Sequence, residues 1–168
     1  MTDRLKTELR PFALDQAGLV AGWPRSAHEV LMWCGSTDFP VPAATVASWS
    51  QEDEVRSRLL VTGDLPLGYG ELWLDPEEDE VELARIILAP AARGRGLGRV
   101  LTLALLAEAR GTGHADVFLR VHPDNRPALR CYQGAGFVPV APETAAEWNV
   151  PQPVDYLWLQ PGEPRIRP

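Results

Sequence analysis

The sequence predicts one α/β or α+β domain, a single sheet with helices packed on it. Three observations carry that expectation. Apolar stretches switch between the two-residue alternation of strands and the wider spacing of helices, in the order β-α-α-β-β-β-α-β-α-β-β. No repeat, low-complexity tract or linker divides the 168 residues, a length that suits one domain. A Gly/Arg-rich turn joins a probable strand to a probable helix near the middle of the chain.

Each element has a local reason. Residues 5–10 suit a short strand. Helical stretches follow at 15–22 and 26–34, the second opening on Ser26 and Glu29 at capping-box spacing. A Pro-bearing loop at 38–42 leads to a third helix over 43–54. Strands at 58–62 and 69–74 are joined by the loop 63–68, which holds Gly63, Pro66 and Gly68. The acidic run 75–80 reads as a turn, and 81–88 as a strand ended by Pro90, which has no N–H for a ladder. Residues 98–110 form a helix closed by Gly111 and Gly113. A strand at 117–121 precedes a helix at 125–134 with Pro127 in its first turn, where proline is tolerated. Strands at 138–140 and 154–159 close the domain, separated by the Pro-rich stretch 141–153, read as a loop.

Composition narrows the function. A chain of this size buries roughly 68–70% of its unfolded surface and needs no metal or disulfide staple. Cys34 and Cys131 lack CxxC spacing, which argues against a zinc site and for a reducing compartment. The first ten residues are charged and lack the apolar region of a signal peptide. No apolar run approaches a membrane span. A cytoplasmic protein is expected, with no membrane partner. The net charge of −7 argues against a nucleic-acid partner, which would need a basic face. It suits a cationic substrate, but acidity serves solubility equally well.

The most informative segment is Arg93-Gly94-Arg95-Gly96-Leu97-Gly98-Arg99. A helix start leaves amides without partners, and these together with the macrodipole attract anions. Glycines let the backbone approach closely. Arginine forks match phosphate oxygens. The glycine spacing is not that of a dinucleotide fingerprint, and the Gly-Lys-Ser/Thr of a P-loop is absent. By itself the segment is either an anion site or a Gly-rich loop with solvated arginines.

Residues 82–137 resemble the GCN5-related N-acetyltransferase (GNAT) family. Arg93-Gly94-Arg95-Gly96-Leu97-Gly98 matches its Q/R-x-x-G-x-G/A motif in full. Asn125, Ala128, Tyr132 and Gly136-Phe137 match a second motif in order and spacing. The resemblance covers the C-terminal half of the chain. It implies a central mixed, mostly antiparallel sheet whose two middle strands splay apart, here 81–88 and 117–121. It further implies acetyl-CoA as acyl donor, no metal, direct transfer to a primary amine of a small molecule or peptide, and compatibility with a homodimer. A catalytically silent acyl-CoA sensor is the alternative. Ile86, Ile87 and Leu88 would hold the pantetheine arm and the thioester carbonyl through main-chain groups. Arg93, Gly94, Arg95, Gly96, Leu97, Gly98 and Arg99 would wrap the pyrophosphate, and Asn125 would touch the cofactor.

Amine acetylation must remove a proton from an amine and supply one to a leaving thiolate. Tyr132 stands at the family's general-acid position; its other reading is a tyrosine packed at a helix–sheet seam. Cys131 beside it reads as a small core residue. Glu82 matches the base of the histone-acetylating branch, and strand alternation places it on one face with Ala84 and Ile86. It reads equally as a salt-bridged carboxylate. His122 is the second candidate base, and a water relay needs neither. Arg120 stands where the ribosomal-protein branch carries its base, which argues against that substrate. Trp23, Trp33, Trp148, Glu143 and Glu147 read as acceptor-side residues or as packing. His28 and His114 read as ordinary helix and loop residues.

Overall fold

The computed structural model describes residues 5–162, so Met1–Arg4 of the charged N-terminal stretch lie outside the described residues. Seven strands form one sheet in the order β1-β2-β3-β4-β5-β7-β6. The strands are β1 (Glu8–Pro11), β2 (Val55–Thr62), β3 (Leu65–Asp75), β4 (Glu80–Leu88), β5 (Asp116–Val121), β6 (Phe137–Pro139) and β7 (Leu157–Pro161). Only β4 and β5 pair in parallel; every other neighbour is antiparallel. The expected mixed, mostly antiparallel sheet is present.

Helices cover both faces. On one lie α1 (Ala17–Ala21), α2 (Ala27–Cys34) and α3 (Ala43–Trp49). Their buried residues Val20, Val30, Trp33, Val46 and Trp49 pack on Leu59, Val61 and Tyr69. On the other lie α4 (Leu97–Gly111) and α5 (Arg126–Gly134). There Leu101, Leu105 and Leu106 pack on Leu60, Leu72, Leu83 and Leu119. Consecutive residues Leu59 and Leu60 thus serve opposite cores, as the pleat requires. Burial of each such leucine contributes about 1.5–3 kcal/mol.

The structure differs from the sequence expectations in four places. The third helix ends at Trp49 rather than at residue 54. Ser48 and Ser50 return their hydroxyls to the carbonyls of Thr45 and Ala47, a local competitor to helix propagation. The hairpin loop shrinks to Gly63-Asp64, with Gly63 at φ 57, and β3 begins at Leu65. The 141–153 loop contains a helix, α6 (Pro142–Asn149). Its proline sits in the first turn, where its missing N–H costs nothing. The final strand begins at Leu157 rather than 154, after Asn149 has gathered the main chain of Tyr156 and the Trp158 indole. Among the described residues, no helix is long and apolar enough to cross a membrane, and no group of three or more His, Cys, Asp or Glu is placed to hold a metal ion.

Candidate active site

The sheet opens at its middle. β4 and β5 pair from Glu80↔Asp116 to Leu83↔Leu119 and then stop, although β4 runs on to Leu88 and β5 to Val121. A bulge accompanies the opening. β3–β4 pairing jumps from Glu71↔Ala84 to Tyr69↔Ile87, and Arg85 takes φ 47. That left-handed backbone costs a non-glycine residue about 1–3 kcal/mol. It is held by the Trp33 indole, which donates to the Arg85 carbonyl (2.8 Å).

The extra residue resets the alternation. Ile86 and Leu88 join the core under α4 with Leu83, while Ile87 packs with the opposite core. The expected grouping of Glu82 with Ile86 is therefore corrected: a β-bulge intervenes. Ala89 N–H donates to Leu67 C=O (2.9 Å), so alternation turns the main-chain groups of Ile87 toward β3. Those of Ile86 and Leu88 face the splay. Of the three residues expected to offer main-chain groups there, Ile87 contributes its side chain instead.

The Gly/Arg turn lies at the end of this opening. Gly94 and Gly96 have φ 73 and 75, and a Cβ at either would meet nothing within 4 Å. They are needed for conformation, not for space. Gly98 is needed for space, because a Cβ there would fall 2.8 Å from Cys131 Sγ on α5. The amides of residues 94–99 find no main-chain acceptor among the described residues and converge at the start of α4. Arg95 and Arg99 are exposed.

Arg93 has a structural role besides its place at the turn. Its guanidinium donates to Glu29 Oε1 (2.5 Å), to Trp23 C=O (3.2 Å) and to Leu88 C=O (3.3 Å). Its amide donates to Pro90 C=O (3.3 Å). Arg93 clamps α2 to the end of β4 with three of its five guanidinium N–H groups and also lines the groove beside the turn.

Two cavities meet at Tyr132. A groove of about 410 Å³ runs beside Ile86, Leu88, Gly94, Gly98, Ala128 and Cys131. A smaller pocket of about 110 Å³ is lined by Cys34, Trp73, Glu82, Arg85, Arg120 and Tyr156. Met32, Trp33, Ile86, Asn125 and Tyr132 border both. Tyr132 is 7% exposed, and its hydroxyl hydrogen-bonds to no other described residue. Burial pushes its phenol well above the ordinary tyrosine value, so it stays protonated. Asn125 caps α5, its side chain accepting from Ala128 N–H (3.3 Å).

The pocket floor carries two ion pairs. Both Glu82 oxygens accept from Arg120, Nε at 2.9 Å and Nη2 at 3.1 Å. Burial pushes the Glu82 carboxyl up, and the Arg120 charge pulls the other way. Arg120 also donates to Gln152 (3.2 Å) and lies 4.6 Å from the Trp158 ring centroid. Glu71, fully buried, accepts from Arg85 (3.0 Å), the Trp73 indole (2.8 Å) and the Tyr69 hydroxyl. His122 is buried, and its Nδ1 accepts from Asp124 N–H (3.1 Å), which leaves the neutral ring its proton on Nε2.

The remaining expectations divide. Trp23 and Trp33 are core residues, with Trp33 also walling both cavities. Trp148 packs on Phe118 and Trp158. Glu143 and Glu147 are exposed on α6, and none of these three lines either cavity. His28 lies 3.7 Å from Asp124, and His114 3.2 Å from Asp79. The sequence reading missed Arg85, Trp73, Tyr156 and Gln152. The only sequence signal was aromatic and polar type, for Trp73 and Arg85 on strands beside the splay and for Gln152 and Tyr156 just before β7.

Comparison with known proteins agrees with this geometry. The acetyltransferase (GNAT) family model matches residues 21–137. A mycothiol acetyltransferase of Nocardioides sp. is 41% identical over 87 residues, 52% of this chain and 28% of that protein. One of Corynebacterium glutamicum is 31% identical over 122 residues, 70% of this chain and 40% of that protein. The chain thus spans well under half the length of these curated relatives. Among solved structures, Vibrio cholerae spermidine N-acetyltransferase with CoA and spermine superposes with TM-score 0.70 at 17% identity, over 82% of this chain and 84% of that one. The aminoglycoside enzyme AAC(6')-Ib with ribostamycin and coenzyme A gives 0.72 at 22% identity, over 94% of each chain. These likenesses show the fold.

Proposed function

The chain belongs to the acetyltransferase (GNAT) family, and we propose that it moves an acetyl group from acetyl-CoA directly to a primary amine of a small molecule or peptide. One observation carries the reading: Tyr132 lines both a groove leading to unpaired helix-start amides and a pocket holding Glu82 and Arg120. The amides of residues 94–99, with Arg95 and Arg99, take the pyrophosphate. Main-chain groups of Ile86 and Leu88 take the pantetheine arm and the thioester carbonyl. The acceptor enters beside Glu82, Arg120 and Tyr156.

The step balances as follows. The amine nitrogen attacks the thioester carbon, the C–S bond breaks, and its electron pair goes to sulfur. Tyr132 gives that sulfur a proton. The amine proton leaves through water in the pocket. Glu82 receives it on the lone pairs that Arg120 leaves free, since a carboxylate has about four acceptor sites. The relatives are named as acetyltransferases of mycothiol and of spermidine, and the AAC(6')-Ib structure holds ribostamycin with coenzyme A.

The direct test is calorimetric titration with CoA, followed by thiol release from acetyl-CoA over a panel of amines. Absence of CoA binding refutes the assignment. A silent acyl-CoA sensor is the second reading, favoured by the occupation of both Glu82 oxygens by Arg120. It expects tight CoA binding with no thiol release from any amine.

A further inference from the structure

The two ion pairs at the pocket floor are not symmetric toward an incoming molecule. The carboxylates are turned inward, with side-chain exposures of 0% for Glu71 and 5% for Glu82. The guanidiniums are turned outward, with 17% for Arg85 and 30% for Arg120. A ligand therefore meets cationic edges first. Trp49 covers one region of the Arg85 guanidinium at 4.1 Å and Trp73 another at 4.9 Å. Stacking of that kind leaves the in-plane N–H groups as the open contacts.

Arg85 spends only Nη1, on Glu71. Its Nε and Nη2 have no partner among the described residues. Yet no fully buried side-chain nitrogen or oxygen among them lacks one, so these N–H groups keep exposed surface, on a residue that lines the pocket. They form the parallel fork that fits a carboxylate. His122, whose Nδ1 accepts from Asp124 N–H, adds an Nε2–H donor on a residue lining the same pocket. At about 110 Å³ the pocket is smaller than the roughly 300–1,000 Å³ of drug-sized ligand sites, so it takes a compact acceptor.

We infer that the acceptor is a compact amine that also carries a carboxylate, an amino acid or a derivative with its acid free, whose carboxylate forks onto Arg85 Nε and Nη2. This rests on the acetyl-transfer reading above. It goes beyond that reading by excluding polycations: a polyamine or aminoglycoside would press ammonium groups against Arg85 and Arg120, and their countercharges lie behind them.

The test uses the full chain, acetyl-CoA and matched acceptors: each α-amino acid, its carboxamide and its decarboxylated amine, with spermidine and kanamycin alongside. Thiol release should give the best acid a kcat/KM at least tenfold above its carboxamide and its decarboxylated amine. Arg85→Lys keeps the charge facing Glu71 and removes the fork, so the acid-over-amide ratio should fall about tenfold, with the CoA dissociation constant checked by titration. Equal rates for acid and amide, preference for spermidine or kanamycin, or no turnover of any carboxylate-bearing amine by CoA-binding protein would each overturn the inference. If Arg85→Lys does not fold, the wild-type ratio decides alone. Failure to bind CoA at all would overturn the acetyl-transfer reading instead.

Discussion

Replacing Tyr132 by phenylalanine removes one oxygen at the junction of the two cavities. The structure separates its effect on stability from its effect on rate. The hydroxyl has no hydrogen-bond partner among the described residues, so no donor or acceptor is orphaned by its loss. The ring keeps its packing, including Phe137 at 6.5 Å between centroids. The stability change should therefore stay below about 1 kcal/mol. The rate is another matter. Burial holds the phenol well above its ordinary value, so it is a neutral donor across the working pH range. A positioned acid contributes about 10²–10⁴-fold, equivalent to about 2.7–5.4 kcal/mol of barrier. Thiol release at saturating acetyl-CoA should fall by that factor in Tyr132→Phe. The CoA dissociation constant and the melting temperature should hardly move. A kcat within threefold of wild type would refute the acid assignment and return Tyr132 to the status of a packing residue.

Four further outcomes follow from the same geometry. Arg93→Ala should cost about 1–2 kcal/mol in thermal unfolding, because it leaves Glu29 and two carbonyls without their donor. Arg95→Ala and Arg99→Ala, both exposed, should instead weaken CoA binding several-fold in calorimetry without moving the melting temperature. Gly98→Ala should destabilise by about 1–3 kcal/mol through the contact with Cys131 Sγ. Adding Cys131→Ala should restore most of that loss, a coupling that a thermal double-mutant cycle reads directly. Burial raises the pKa of both thiols, so at pH 8 less of each is thiolate than in a free cysteine. Iodoacetamide should therefore label both more slowly than it labels the unfolded chain, and CoA should slow Cys131 further because it lines the groove.

What the sequence revealed and what it hid follow a physical division. The shape of the Gly/Arg turn was legible because its causes are local: two glycines with left-handed backbone, a third at a close helix contact, and a helix start beyond them. α5 was legible for the same reason, with Asn125 as its cap and Pro127 in its first turn. α6 was hidden because Pro142 reads as a breaker until its position in the first turn is known. The tether from Arg93 to α2 was hidden because motif position says where a backbone runs, whereas Glu29, far away in sequence, takes one side-chain nitrogen.

The pocket floor was the least legible part, and the bulge at Arg85 explains why. Alternation assumes an unbroken pleat, and one inserted residue transfers every later side chain to the opposite face. With a regular pleat, the Ile86 side chain would share a face with Glu82, and Arg85 would point toward α4 and its leucines. The bulge instead brings Arg85 to Glu71 and Trp73 and frees the edges of Ile86 and Leu88 toward the splay. On the proposed function, one left-handed residue sets both the main-chain groups offered to a thioester and the charge offered to the acceptor. On that proposal, substrate choice is written in the pairing of β3 with β4, and residue types along β4 do not reveal it.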